Sequence, residues 1–169
     1  APPEPRTLSE DDMQKAGVTM PAKERNALRD DNSYLVSTEY WQLRDGIGRA
    51  QKGGYVRVNY FKAGPGNGAD WLRMERAGWK KLAEYWAKED SGLGWGIYTL
   101  MMPSGANYAY NAMTVDVFPN WNSMFGRNPM AAWQKAVPDQ DYTTFMNKVG
   151  RLAERPEVRT MRIVEVYRK

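Results

Sequence analysis

The 169-residue chain contains no cysteine and no histidine. Without cysteine there is no disulfide, thiolate nucleophile, zinc knuckle or iron–sulfur cluster. Without histidine there is no Ser-His-Asp triad, no imidazole ligand for a metal, and no side chain whose unperturbed pKa lies near neutrality. Long apolar runs are also missing. The longest candidate, Gly92–Met102, holds three glycines and stops at Pro103, well short of the roughly 18 residues a membrane span needs. Nor does one sign of charge dominate. Lys and Arg number 24 against 20 Asp and Glu, for a net charge of +4. The signs interleave, as in Lys80-Lys81-Leu82-Ala83-Glu84, and only the C-terminus (Arg151, Arg155, Arg159, Arg162, Arg168, Lys169) is locally basic. A nucleic-acid binder concentrates cations along one groove among stacking aromatics, so no nucleic-acid partner is expected.

Metal chemistry finds little support either. The ten methionines are scattered, and the one adjacent pair, Met101-Met102, falls in a strand whose successive side chains point to opposite faces. Asp30-Asp31-Asn32 lacks the spaced oxygen ligands of a calcium loop. Neither a metal nor a cofactor is expected. The glycines of Gly64-Pro65-Gly66-Asn67-Gly68 fall two apart, unlike G-x-G-x-x-G, and Pro65 removes an N–H that a phosphate cradle would use. A tight strand-to-helix turn is the better account. The start, Ala1-Pro2-Pro3-Glu4-Pro5, has neither Met nor a hydrophobic signal segment. It fits a mature exported protein, periplasmic or extracellular, with the cytoplasm as the alternative.

What is present has a clear order. Residues 1–33 read as an arm: a Pro-rich start, a short helix opened by Ser9 and its acidic neighbours, and another opened by Pro21. Residues 34–54 comprise a strand over 34–43 and a glycine-rich linker. In Tyr55–Lys62, Val56, Val58 and Tyr60 share one face while Arg57, Asn59 and Phe61 share the other. A long helix is expected from Asp70 to about Lys88, with Trp71, Met74, Gly78, Leu82 and Tyr85 in one stripe. Strands at 95–102 and 108–118 make a hairpin around Pro103–Asn107. Two short helical pieces follow near 120–125 and 129–136. A helix capped by Asp139 then runs to about Glu154, Pro156 closes it, and a last strand covers 158–167.

From Tyr55 the order is β-α-β-β-α-β. The expected class is α+β, a ferredoxin-like plan over 55–169 with a four-stranded antiparallel sheet and helices on one face. The strand at 34–43 would extend that sheet or cross to a partner. Because the strands carry aromatics on both faces, the uncovered side would expose an apolar patch larger than monomers usually tolerate. A homodimer packed sheet on sheet, or a place in a larger complex, removes it.

Three stretches add a resemblance. Tyr55–Lys62 with Pro65-Gly66, Glu75 and Trp79-Lys80, then Gly94–Tyr98 with Pro103-Ser104-Gly105, and Tyr108–Val115 together resemble the dimeric α+β barrel superfamily, and within it exported bacterial members. The resemblance covers roughly 55–168. It implies a fold more than a function, since the superfamily spans cofactor-independent monooxygenases, haem-degrading and chlorite dismutase-like haem proteins, muconolactone isomerases and metabolite sensors. Its haem members generally use an axial histidine, which this chain lacks. No catalytic residue carries over.

The chemistry therefore rests on the residues themselves. Tyr60, Trp71, Trp79, Trp95 and Tyr98 could enclose a flat apolar ligand oriented by Asn111, or simply pack a core and a dimer seam. Glu75 and Asp116 lie within apolar elements. A buried carboxyl with a raised pKa works as an acid or base without histidine, whereas an arginine partner or water would make either one structural. The expected role is non-enzymatic: binding a small apolar molecule, or acting as an accessory subunit of a larger, conceivably membrane-associated assembly. The alternative is a cofactor-independent monooxygenase or isomerase acting on a small aromatic substrate, with Glu75 or Asp116 moving a proton.

Overall fold

The computed structural model describes residues 39–103 and 108–166, together with Pro21 and Lys23. The arm, the strand residues 34–38 and the turn at 104–107 otherwise lie outside the described residues. Glu39–Val166 forms a compact unit. Its strands are β1 (Tyr40–Ile47), β2 (Tyr55–Ala63), β3 (Gly94–Met102), β4 (Ala112–Phe118) and β5 (Ala153–Arg162). They make one antiparallel sheet in the order β1-β3-β4-β2-β5. The helices are α1 (Gly68–Glu75), α2 (Lys81–Glu89), α3 (Trp121–Phe125), α4 (Pro129–Ala136) and α5 (Tyr142–Leu152), with a π-helical turn, Arg76–Lys80, joining α1 to α2. The class is α+β, as expected. Among the described residues the sheet has five strands, the four expected from Tyr55 onward and β1, which extends it at the edge beside β3.

Strand alternation decides what each face carries. Trp95, Asp116 and Arg57 stand opposite one another across β3, β4 and β2, as do Ile97, Thr114 and Asn59. Cross-strand partners share a face, so these rows belong to one side of the sheet, with Phe61 and Ala112 beyond them. The helices pack on that side: Phe61, Trp95, Ile97 and Ala112 join Trp71, Leu82, Trp133, Phe145 and Val149 in one buried cluster. The opposite side takes the alternate residues, among them the row Leu43, Tyr98, Met113 and Tyr60.

Several boundaries move from their expected places. β1 continues to Ile47, into the expected linker, with Gly46 paired to Gly96 and Ile47 to Trp95 across the ladder. β4 begins at Ala112 rather than Tyr108, since the Asn111 side chain takes over the pairing. Its Oδ1 accepts from Ala63 N and its Nδ2 donates to Ala63 O, both at 2.9 Å. Asp141, not Asp139, caps α5, accepting from Thr144 N at 2.7 Å. Asn120 and Asn128 cap α3 and α4 in the same way. Pro156 does not close a helix. It lies inside β5 where the register slips between Tyr60 and Lys62, a bulge on an edge strand, which is where a sheet accepts proline.

The expected long helix contains the π turn. Gly78, at its centre, is buried, and a Cβ there would run into the rings of Phe145 and Trp133. A second bulge, between Leu43 and Asp45, places Asp45 opposite Ile97 on the helix side. Its carboxylate takes Lys80 at 2.9 and 3.0 Å and Arg76 at 3.2 Å, binding the first and last residues of the turn. The Lys80 ammonium, more than any other group, holds Asp45 below its ordinary carboxylate range.

Both rings beside Gly78 are fully buried and cannot retreat. Gly78→Ala is therefore expected to destabilise the fold by about 1–3 kcal/mol, seen as a lower urea midpoint at an unchanged slope.

Candidate functional site

A cavity of about 720 Å³ lies between the helices and the sheet. β2 supplies Arg57, Asn59 and Phe61 to its wall, β4 supplies Thr114, Asp116 and Phe118, and Trp95 comes from β3. Glu75 at the end of α1, Trp79 in the π turn, and Ala83 and Trp86 in α2 face them. Met124, Arg127, Met146 and the β5 residues Glu154, Arg155 and Val158 complete it. π turns inside α-helices recur at functional sites because they re-aim side chains that a regular helix would direct elsewhere. Here the turn carries Trp79 to the cavity wall directly after Glu75. The β5 bulge does the same for Arg155.

The sheet side of the cavity carries a hydrogen-bonded polar row. Asn59 Nδ2 donates to Asp116 Oδ2 at 2.9 Å and to Thr114 Oγ1 at 3.1 Å. Burial raises Asp116 to about 6, against the Asn59 hydrogen bond and the charges of Arg57 and Arg155. Opposite it, Glu75 is only 1% exposed, and its Oε1 has no hydrogen-bond partner. Burial first, and the charge of Asp116 second, push Glu75 well above its ordinary value while Arg155 opposes them. The cavity thus holds two carboxyls that are both held above their ordinary range, Glu75 well above it and Asp116 at about 6. One turn before Glu75, Trp71 Nε1 is likewise buried without a partner.

Three arginines reach the cavity in different states. Arg127 pairs with Asp90 at 3.2 Å and Glu89 at 3.7 Å and lies over the Trp86 ring, yet its buried Nε is unpartnered. Arg57 stands 5.6 Å from the ring centres of both Phe118 and Phe125. Neither Arg57 nor Arg155 makes an ion pair or side-chain hydrogen bond among the described residues.

The structure brings together Glu75, Asp116, Trp79 and Trp95 of the residues proposed from the sequence. Trp71 is fully buried in the core behind the wall. Tyr60 and Tyr98 belong to the opposite face of the sheet, and Asn111 is occupied in holding the end of β2. Tyr60 joins a separate cluster there: Trp41 and Tyr110 pack against it at 6.1 and 4.6 Å, and Glu39 accepts from Tyr110 at 2.8 Å and from Trp41 at 3.0 Å. That acceptor bond and burial lift the Tyr110 hydroxyl to about 12, burial being the larger cause. Sequence reasoning did not single out Arg57, Arg127 or Arg155 for the site. The alternation of β2, which puts Arg57 on the face of Phe61, was the available signal. Among the described residues no group of three acidic side chains could hold a metal ion, and no helix is long and apolar enough to cross a membrane.

No family model, curated protein or solved structure matches this chain.

An acid whose pKa is higher folded than unfolded binds extra protons in the folded state, so its contribution to stability declines as pH rises between the two values. For Asp116 that window runs from its ordinary 3.8 to about 6. Asp116→Asn removes the charge and keeps an oxygen for Asn59. Its stability relative to wild type is expected to grow from near zero at pH 4 to on the order of 2 kcal/mol at pH 8 in urea melts. Glu75→Gln should show the same sign.

Proposed function

We propose that this chain binds a small, flat, largely apolar molecule in the cavity between helices and sheet, without turning it over, alone or as the ligand-bearing accessory subunit of a larger assembly. The observation that carries this reading is Glu75, buried to 1% exposure with one carboxyl oxygen unpartnered at the cavity wall. Leaving a buried polar atom unsatisfied costs about 1–3 kcal/mol, and a ligand atom is what would satisfy it. Trp79, Trp86, Trp95 and Phe61 supply ring surfaces for the body of the molecule. The volume falls within the range of small-molecule pockets.

A second reading has its own support. Two carboxyls with raised proton affinity in one cavity are groups that an acid–base enzyme uses, as a cofactor-independent monooxygenase or isomerase would. Recovery of a co-purified ligand unchanged after long incubation in air favours binding. Product formation that is lost in Glu75→Gln or Asp116→Asn favours catalysis.

The architecture is proposed to be ferredoxin-like in its β2–β5 part, of the dimeric α+β barrel type. Numbered from Tyr55, its strand order is second-third-first-fourth, with β1 as an added edge. The sheet side away from the helices, where Leu43 is 56% exposed and Met161 46%, is proposed to pack on a second copy. Light scattering should then give twice the 19.4 kDa chain mass, and Val115→Arg on that face should give monomers with the same circular dichroism.

For the cavity itself, naphthalene-sized aromatics are expected to quench tryptophan fluorescence with one site per chain and to raise the melting temperature. Ala83→Phe, which fills the cavity from α2, should abolish both effects.

A further inference from the structure

The arginines around the cavity leave hydrogen-bond donors without a protein acceptor among the described residues. Arg127 Nε is buried without an acceptor. Arg57 is fixed by the faces of Phe118 and Phe125, contacts that orient a guanidinium while leaving its N–H groups unused. Arg155 is presented by the β5 bulge, with no ion pair or side-chain hydrogen bond among the described residues. Of the carboxylates on the wall, Asp116 accepts from Asn59 through Oδ2, and Glu154 is exposed at the cavity's β5 side. A neutral hydrocarbon would use none of these donors, and a cation would meet Arg57 and Arg155.

We infer that the ligand is an organic anion, an aromatic body bearing a carboxylate or a similar oxyanion, whose charged end is held by Arg57 and Arg155 and whose body lies against Trp79, Trp86 and Trp95. This rests on the cavity being the ligand site. Guanidinium groups suit it because their planar donor pairs match an oxyanion and form charge-assisted bonds stronger than neutral ones. The stacked Arg57 needs little reorganisation to bind.

Two fluorescent probes separate this inference from the reading beneath it. Anilinonaphthalene sulfonate and phenylnaphthylamine share a ring body and differ by the sulfonate. Titrated into the intact chain, the sulfonate is expected to bind about tenfold more tightly. Arg57→Gln and Arg155→Gln should each reduce that advantage, and the double variant should remove it, while phenylnaphthylamine affinity stays unchanged. Arg155 is exposed, so its variant keeps the test open even if Arg57→Gln fails to fold. Equal affinity of the two probes, or a sulfonate preference that survives the double variant, overturns the anion assignment and leaves the cavity reading intact. Binding of neither probe, or binding that persists in Ala83→Phe, overturns both.

Discussion

Parity along the two central strands governs this structure. Alternation puts Arg57 and Asn59 of β2, and Thr114 and Asp116 of β4, on the same side as Phe61 and Ala112. The face that the helices must cover is thus apolar at one end and polar at the other. At the apolar end, Trp71, Leu82, Trp133 and Phe145 close down on it completely. At the polar end the groups satisfy one another within the sheet through Asn59, and the helices stand off. A dry core and an open cavity follow from one strand pattern, because buried polar atoms need partners that an apolar helix stripe cannot provide.

The helical wall is shaped from the sheet's far edge. Asp45 leaves β1 at a bulge and grips both ends of the π turn, and the turn swings Trp79 into place. Glu75 needs no such clamp. It is the last residue of a regular helix, aimed inward by the same stripe that buries Trp71 one turn before it. The cavity thus combines a carboxyl set by helix periodicity with an indole set by a distortion, and the two depend on different parts of the chain.

Much of the fold was legible in the residues. The alternation of Tyr55–Lys62, the two short helical pieces near 120–125 and 129–136, and the helix over Tyr142–Leu152 all appear where local chemistry puts them. What escaped was set by contacts distant in sequence. Nothing in Arg76–Lys80 announces a π turn, since its cause includes an aspartate some thirty positions away. Pro156 looked like a stop because proline ends helices, yet an edge strand with a bulge accommodates it. Among the aromatics, composition could not separate Trp71, which fills the core, from Trp79, which lines the cavity, or from Tyr60, on the other side of the sheet. Glu75 and Asp116 were visible as polar residues in apolar elements. The arginines that complete their surroundings were hidden among ordinary surface charges.

The bulge in β5 has a consequence beyond aiming Arg155. Among the described residues β5 is an outer strand, and the backbone groups of such a strand offer a template on which another molecule's strand could zip up. A proline without an N–H, a kink in the ladder and closely spaced charges from Glu154 to Arg162 interrupt that template. Such features disfavour growth of the sheet into ribbons or fibrils along this border.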